Sequence, residues 1–343
     1  MMEGTMSGTV YVQTNERENR LVAFRRSEDG TLAPLGGYPT GGSGDAKPHL
    51  TSQGSVVLTG DGRHLLLTNA ASDDVSLFAL GGDEPRLVGT TSTGPAPKSV
   101  SERDGVVFVL NTGKPSVVGF RVGQGGLEPI AGAEQSLSSP GADPAQVSFT
   151  PDGRHLVVTE RGSDSIVVFA VASDGRLGEM RVTPSSGPTP YGFAFTPDGT
   201  RLVVTEAFRA EKGAAAASSY RASGSELAPV TRSLGNGRSE ICWAVVTSDG
   251  RFVFTTNFAD GAVSRYAIDE DGALRLEDAT AGLTQDGRAG LRDEVLTGDG
   301  RYLYAIDADA ERLYGWAVGA DGILSPIGDW AGVPATVAGL AAS

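Results

Sequence analysis

Apolar and polar residues alternate with period two in short runs, and glycine turns separate the runs. This is the pattern of half-buried β-strands. One unit recurs along the whole chain. An apolar run leads to an Asp-Gly turn, and a second run ends on a polar residue. The unit reads TGDGRHLLLTN ending at Asn69, TPDGRHLVVTE at Glu160, TPDGTRLVVTE at Glu206, TSDGRFVFTTN at Asn257 and TGDGRYLYAID at Asp307. A shorter copy, ERDGVVFVLN, ends at Asn111, and a headless copy, SGTVYVQTN, ends at Asn15. Each polar stop is followed by a third alternating run, as in SIVVFAV and RLYGWAV, and then by a weaker fourth run after a second glycine turn. No segment holds a helical period.

Seven copies of about 49 residues span the 343-residue chain, with stops spaced 42 to 54 residues apart. Four antiparallel strands at this period predict a blade, and seven blades predict an all-β, seven-bladed β-propeller. The expectation is one domain over residues 1–343. The first copy lacks its leading strand. The C-terminal stretch Pro334 to Ala342 (PATVAGLAA) is expected to supply it, which closes the first blade and removes an open sheet edge.

Composition agrees with a packed β fold: 48 Gly, 18 Pro and 39% hydrophobic residues. The formal charge of −14 argues against a nucleic acid partner, because that binding neutralises phosphates with Lys and Arg. It argues equally against an anionic membrane surface. Cys242 is the single cysteine, which excludes an internal disulfide. Residues Met1 to Val10 carry no basic-then-apolar leader and no apolar run reaches membrane-spanning length, so a cytoplasmic location is expected. No cofactor is predicted, and no metal, since imidazole and thiolate ligands are nearly absent.

The expected partner is a small molecule at the mouth of the central channel. The repeat brings the loops entering the first strands and those leaving the second strands to one face. Glu160 and Glu206 are the stops that turn chemistry explains least well, because Glu is a poor local turn former. They are candidate catalytic groups, able to take a proton from water, and they are expected to face a wet mouth. His49, in the loop AKPHLTSQG, is a candidate second acid/base. Arg161, Arg209 and Lys98 are candidates to hold a developing oxyanion. Tyr191 and Trp243 fill the channel or stack on a ligand. Gln146, Asn111 and Asn257 complete the substrate-binding candidates. The segment Arg209 to Ser219 (RAEKGAAAASS) reads as a flap or an irregular edge in place of a regular third strand.

The succession TPDGRHLVVTE, RGSDSIVVFAV and SDGRL, with TPYGFAFTPDG and ICWAVVTSDG, resembles the seven-bladed lactonase family of 6-phosphogluconolactonases and carboxymuconate cyclases. The chain looks closest to a bacterial branch carrying SQGS (Ser52 to Ser55), PAQVSFTPDG and a Cys-Trp pair. The family pattern places a Pro-His where this chain has Pro144-Ala145, and a Pro-Arg-His where it has Pro190-Tyr191-Gly192. The family Glu is kept as Glu206, and the family Arg one blade later is replaced by Phe258. The resemblance implies a lactonase-like enzyme acting on a small lactone or cyclic ester, by hydrolysis or the reverse cyclisation. The alternatives are a non-catalytic propeller that binds a small molecule or protein, and a biosynthetic cyclase or isomerase.

Overall fold

The computed structural model describes residues 6–48, 50, 53–284 and 288–343, with Met6 and Ser7 described as backbone only. Seven four-stranded antiparallel sheets form a ring. In chain order, blade 1 takes residues 6–39, blade 2 56–92, blade 3 97–136, blade 4 144–184, blade 5 190–235, blade 6 241–283 and blade 7 291–331. The innermost strands are Ala338–Ala342, Val56–Leu58, Pro97–Arg103, Pro144–Phe149, Pro190–Phe195, Ile241–Val246 and Leu291–Leu296, and each touches the next around the ring.

The C-terminal strand closes blade 1 as the headless first copy requires. It is shorter than the predicted stretch: Ala338–Ala342 pairs antiparallel with Met6–Gln13 in the register Val10↔Ala342, Tyr11↔Ala341 and Val12↔Leu340. Ser343 extends the seam, with its backbone N–H donating to Thr9 O at 3.0 Å.

The repeated Thr-x-Asp-Gly turn is a small hydrogen-bonded device. In blade 6, Thr247 Oγ1 donates to Asp249 Oδ1 (2.6 Å) and accepts from the Phe252 N–H (3.1 Å), while Asp249 Oδ1 accepts from the Arg251 N–H (3.1 Å). The same bonds recur at Thr59, Thr150, Thr196 and Thr297. Gly250 sits at φ 72°, left-handed backbone that glycine enters without a Cβ clash. The turn fixes the register between first and second strands, and so decides which alternate residues face the neighbouring blade.

The core is seven interblade layers, each built from two consecutive blades. Between blades 3 and 4, Phe108 and Phe149 meet edge to face at 5.6 Å, over buried Val147, Leu156 and Val158. Burial of such side chains contributes roughly 1.5–3 kcal/mol each.

The alanine-rich segment departs from expectation. Residues Phe208–Ala210 make a 3₁₀ turn, and Ala216–Ser223 is a third strand whose residues Ala216 to Arg221 pair with Arg201–Glu206. Its small residues have a packing reason. Ser218 Oγ donates to Glu206 Oε1 (2.7 Å) and Ser219 Oγ to Gly272 O (2.7 Å), which brings the strand close under its neighbours.

Candidate functional site at the channel mouth

Asn69, Asn111 and Asn257 each clasp their blade to the linker arriving from the previous one. Asn69 accepts from Thr40 Oγ1 (3.0 Å) and donates to Ser76 Oγ (2.7 Å). Asn111 donates to Thr93 O (2.7 Å). Asn257 accepts from Asn236 Nδ2 and donates to Ser264 Oγ, both at 2.9 Å. Thr40, Thr93 and Asn236 all lie in linkers, so the stop residue ties a second strand to incoming chain.

The two glutamates do the same work. Glu160 accepts from the Ser138 N–H (3.0 Å), Ser163 Oγ (2.5 Å) and Ser138 Oγ. Glu206 accepts from the Gly187 N–H (2.8 Å), Ser218 Oγ (2.7 Å), Ser233 Oγ (2.6 Å) and Ser185 Oγ (3.3 Å). Both are 0% exposed. Their expected position facing a wet mouth is therefore corrected: each carboxylate is enclosed among serine hydroxyls and a backbone amide. A Cβ on Gly187 would lie 2.5 Å from Glu206 Oε2, so that linker position needs glycine.

The remaining candidates divide. Arg209 is 67% exposed on the 3₁₀ turn and pairs with Asp164. Gln146 uses both ends of its amide on the next blade, accepting from the Phe193 N–H (2.6 Å) and donating to Phe193 O (3.1 Å). His49 lies outside the described residues.

Arg161, Lys98, Tyr191 and Trp243 do come together. Tyr191 and Trp243 pack edge to face at 5.6 Å and are 4% and 1% exposed, with Ala145, Ala207, Cys242 and Phe258 around them. The Arg161 guanidinium lies 4.9 Å over the Tyr191 ring and pairs with Asp143 at 2.7 Å. Lys98 is half-buried beside Arg161, Asp45, Lys47 and Asp143, and burial holds its ammonium below the usual lysine value. Arg292 closes the other side, 5.1 Å over the Phe258 ring and 3.8 Å from Asp309. Cys242 stands within electrostatic reach of Arg161 and Arg292. Burial pushes both the Cys242 thiol and the Tyr191 phenol upward.

Beneath this layer sit residues that received no role from the sequence. Asp293 is 4% exposed, and its carboxyl rises to about 7 because burial outweighs the Gly339 N–H it accepts (2.6 Å) and nearby Arg292. Gln53 reaches from the loop before blade 2 across to blade 6. It donates to Ala244 O (2.9 Å) and accepts from the Ala244 N–H (3.3 Å). A Cβ on Gly192 would come within 2.3 Å of Gln53 Oε1. The SQGS signature was the available signal for Gln53. Arg292 and Asp293 follow from their repeat position, at the start of an innermost strand.

Among the described residues no group of three or more His, Cys, Asp or Glu is placed to hold a metal ion, and no helix is long and apolar enough to cross a membrane.

Seven four-stranded antiparallel blades in a ring define a seven-bladed β-propeller. The sequence matches the family model of the lactonase, 7-bladed beta-propeller, over residues 129–207 and 205–334, more than half of the chain, and the protein belongs to that family. No curated protein sequence matches the chain at a significant level. Among solved structures, the chain is similar to a Bacteroides fragilis protein assigned provisionally as a 6-phosphogluconolactonase (21% identity, 98% of each chain covered, TM-score 0.77). It is also similar to a periplasmic gluconolactonase of Pseudomonas aeruginosa (18% identity, 98% of each chain, TM-score 0.76). A functionally unknown protein of Desulfotomaculum acetoxidans is alike to the same degree (15% identity, 98% of each chain, TM-score 0.76). At these identities the likeness is one of fold.

Proposed function

We propose that the protein hydrolyses a small lactone of the sugar-acid type at the channel mouth. The observation that carries this reading is the convergence of Arg161 and Arg292 on the Tyr191–Cys242–Trp243 floor, with Lys98 beside Arg161, in a chain whose net charge is −14. Three cations gathered against the overall charge suit a ligand rich in oxygen anions or developing one. Membership of the lactonase family and the gluconolactonase named among the similar folds support the substrate class.

The chemistry follows from the groups present. Water adds to the lactone carbonyl carbon, and the carbonyl oxygen becomes an oxyanion that Lys98 and Arg161 stabilise. Asp293, poised between its two protonation states near neutrality, takes the proton from the attacking water. The ring C–O bond then breaks as the intermediate collapses, and Asp293 returns the proton to the leaving hydroxyl. Glu160 and Glu206 hold the loops from which this mouth is built.

The test is hydrolysis of glucono-1,5-lactone followed by pH-stat. Lys98→Met and Asp293→Asn should each lower kcat/KM by roughly 10²–10³-fold. Saturable gluconate binding without turnover, lost in Lys98→Met, would move the assignment to a non-catalytic binder. Turnover that is unchanged in both variants would remove the mouth from the reaction.

A further inference from the structure

The aromatic floor of the mouth stands on backbone that the sheet ladders do not register. In blade 5 the innermost strand pairs Pro190↔Glu206 and next Phe193↔Val204, three steps against two. Blade 6 repeats this, with Ile241↔Asn257 and next Ala244↔Thr255. Each strand therefore carries a bulge with one extra residue, over Tyr191-Gly192 in blade 5 and Cys242-Trp243 in blade 6. Both floor aromatics sit inside these bulges. A bulge re-aims a side chain, but it also interrupts the ladder that would hold the backbone beneath it.

Two glutamines supply what the ladders omit. Gln146 makes a cyclic pair of bonds with Phe193, where blade 5 regains register, accepting from its N–H at 2.6 Å and donating to its O at 3.1 Å. Gln53 does the same to Ala244, where blade 6 regains register, donating to its O at 2.9 Å and accepting from its N–H at 3.3 Å. The two bulges also touch each other. A Cβ on Gly192 would lie 2.5 Å from Cys242 O and 2.9 Å from Trp243 Cα. Thr205 Oγ1 bridges them, 2.7 Å from Cys242 O and 3.0 Å from Gly192 O. On the turn side the channel widens into two overlapping cavities of about 390 and 420 Å³. Gln53 lines both, and Phe193 and Ala244 line the second, whereas Tyr191, Cys242 and Trp243 are not among the described residues lining either. The glutamine amides thus lie between the floor and open channel.

We propose that Gln53 and Gln146 are positioning residues of the mouth. Each locks the end of one bulge, and together they hold Tyr191 and Trp243 in the edge-to-face packing at 5.6 Å that forms the floor. They act through that floor and not on the ligand. A side chain of equal length without an amide would fill the same space and leave both bulges unregistered. The effect on turnover rests on the lactonase reading; the effect on the floor does not.

Fluorine NMR of protein labelled with 5-fluorotryptophan tests this. The chain has three tryptophans, and Trp243→Phe assigns the resonance of Trp243. Gln53→Met keeps side-chain length and removes both bonds. It should shift or broaden the Trp243 resonance and leave Trp316 and Trp330, in blade 7, unmoved. Gln146→Met should move the same resonance through the Tyr191 ring. Melting temperatures should change little, because Phe193 and Ala244 border the cavity and water can replace the lost bonds. With glucono-1,5-lactone, each variant should lower kcat/KM by roughly 10–100-fold, carried by KM more than by kcat. Gln53→Glu keeps the acceptor for the Ala244 N–H and loses the donor, and it reads the same resonance if the Met variant does not fold. The proposal is overturned by a Trp243 resonance that stays put in either Met variant, or that moves only together with Trp316 and Trp330. A parental KM in either variant of an active enzyme overturns it as well. A parent that turns over no lactone refutes the lactonase reading alone, and the fluorine spectra still decide the glutamines.

Discussion

A single carboxylate in this protein is read by what surrounds it. Glu206 stands where the resemblance places a family Glu, and it is fully enclosed by Ser185, Gly187, Ser218 and Ser233. Replacing it by Gln turns one acceptor into an NH₂ facing hydroxyl donors. Glu206→Gln should therefore lower stability by roughly 1–3 kcal/mol in urea unfolding, with lactone affinity retained. A variant of parental stability with lost turnover would return Glu206 to the chemistry. Asp293 has the opposite balance. Its folded pKa of about 7 lies above the unfolded value near 4, so its contribution is favourable below pH 4 and is lost as pH rises toward 7. Asn keeps the acceptor for the Gly339 N–H and never ionises. Asp293→Asn should match the parent in stability at pH 4 and exceed it at pH 8, while turnover falls. A stability gap that stays constant with pH would contradict the buried-carboxyl assignment.

At the scale of the element, the sequence was legible wherever a local rule repeats. The Thr-x-Asp-Gly turns announce themselves because Thr, Asp and Gly each fill a fixed place in one hydrogen-bonded loop. Strand alternation follows from the turn, and the blade count from the strands. The stops were equally visible, but their purpose was not. Serines 138, 185 and 233, which donate to the two glutamates, lie at positions with no periodic signature. The third strand of blade 5 escaped notice for a related reason: Ala and Ser are poor strand formers in isolation, and this strand is held by packing under Glu206. The mouth divided in the same way. Tyr191, Trp243, Lys98 and Arg161 follow from repeat position, whereas Gln53 acts across the ring on a residue 191 positions away.

At the scale of the whole molecule, stability is a property of closure. Every interblade core is shared by two blades, so an open ring leaves one apolar face uncovered at each end. Truncation after Pro334 removes Ala338–Ala342, exposes the Met6–Gln13 edge and strips Leu340 from the layer between blades 7 and 1. The shortened chain should aggregate or melt well below the parent, by light scattering and calorimetry. An unchanged melting temperature would show that blade 1 holds without its innermost strand. The same seam also sets a clock. Thr9 and Ser343 meet across 334 positions of chain, so the earlier-made strand waits for its partner. At ordinary translation rates that wait is roughly 15–70 s. For that time the nascent blade 1 offers an unpaired edge in a crowded cell, and the arrival of Ala338–Ala342 decides whether it meets its own chain or a neighbour's.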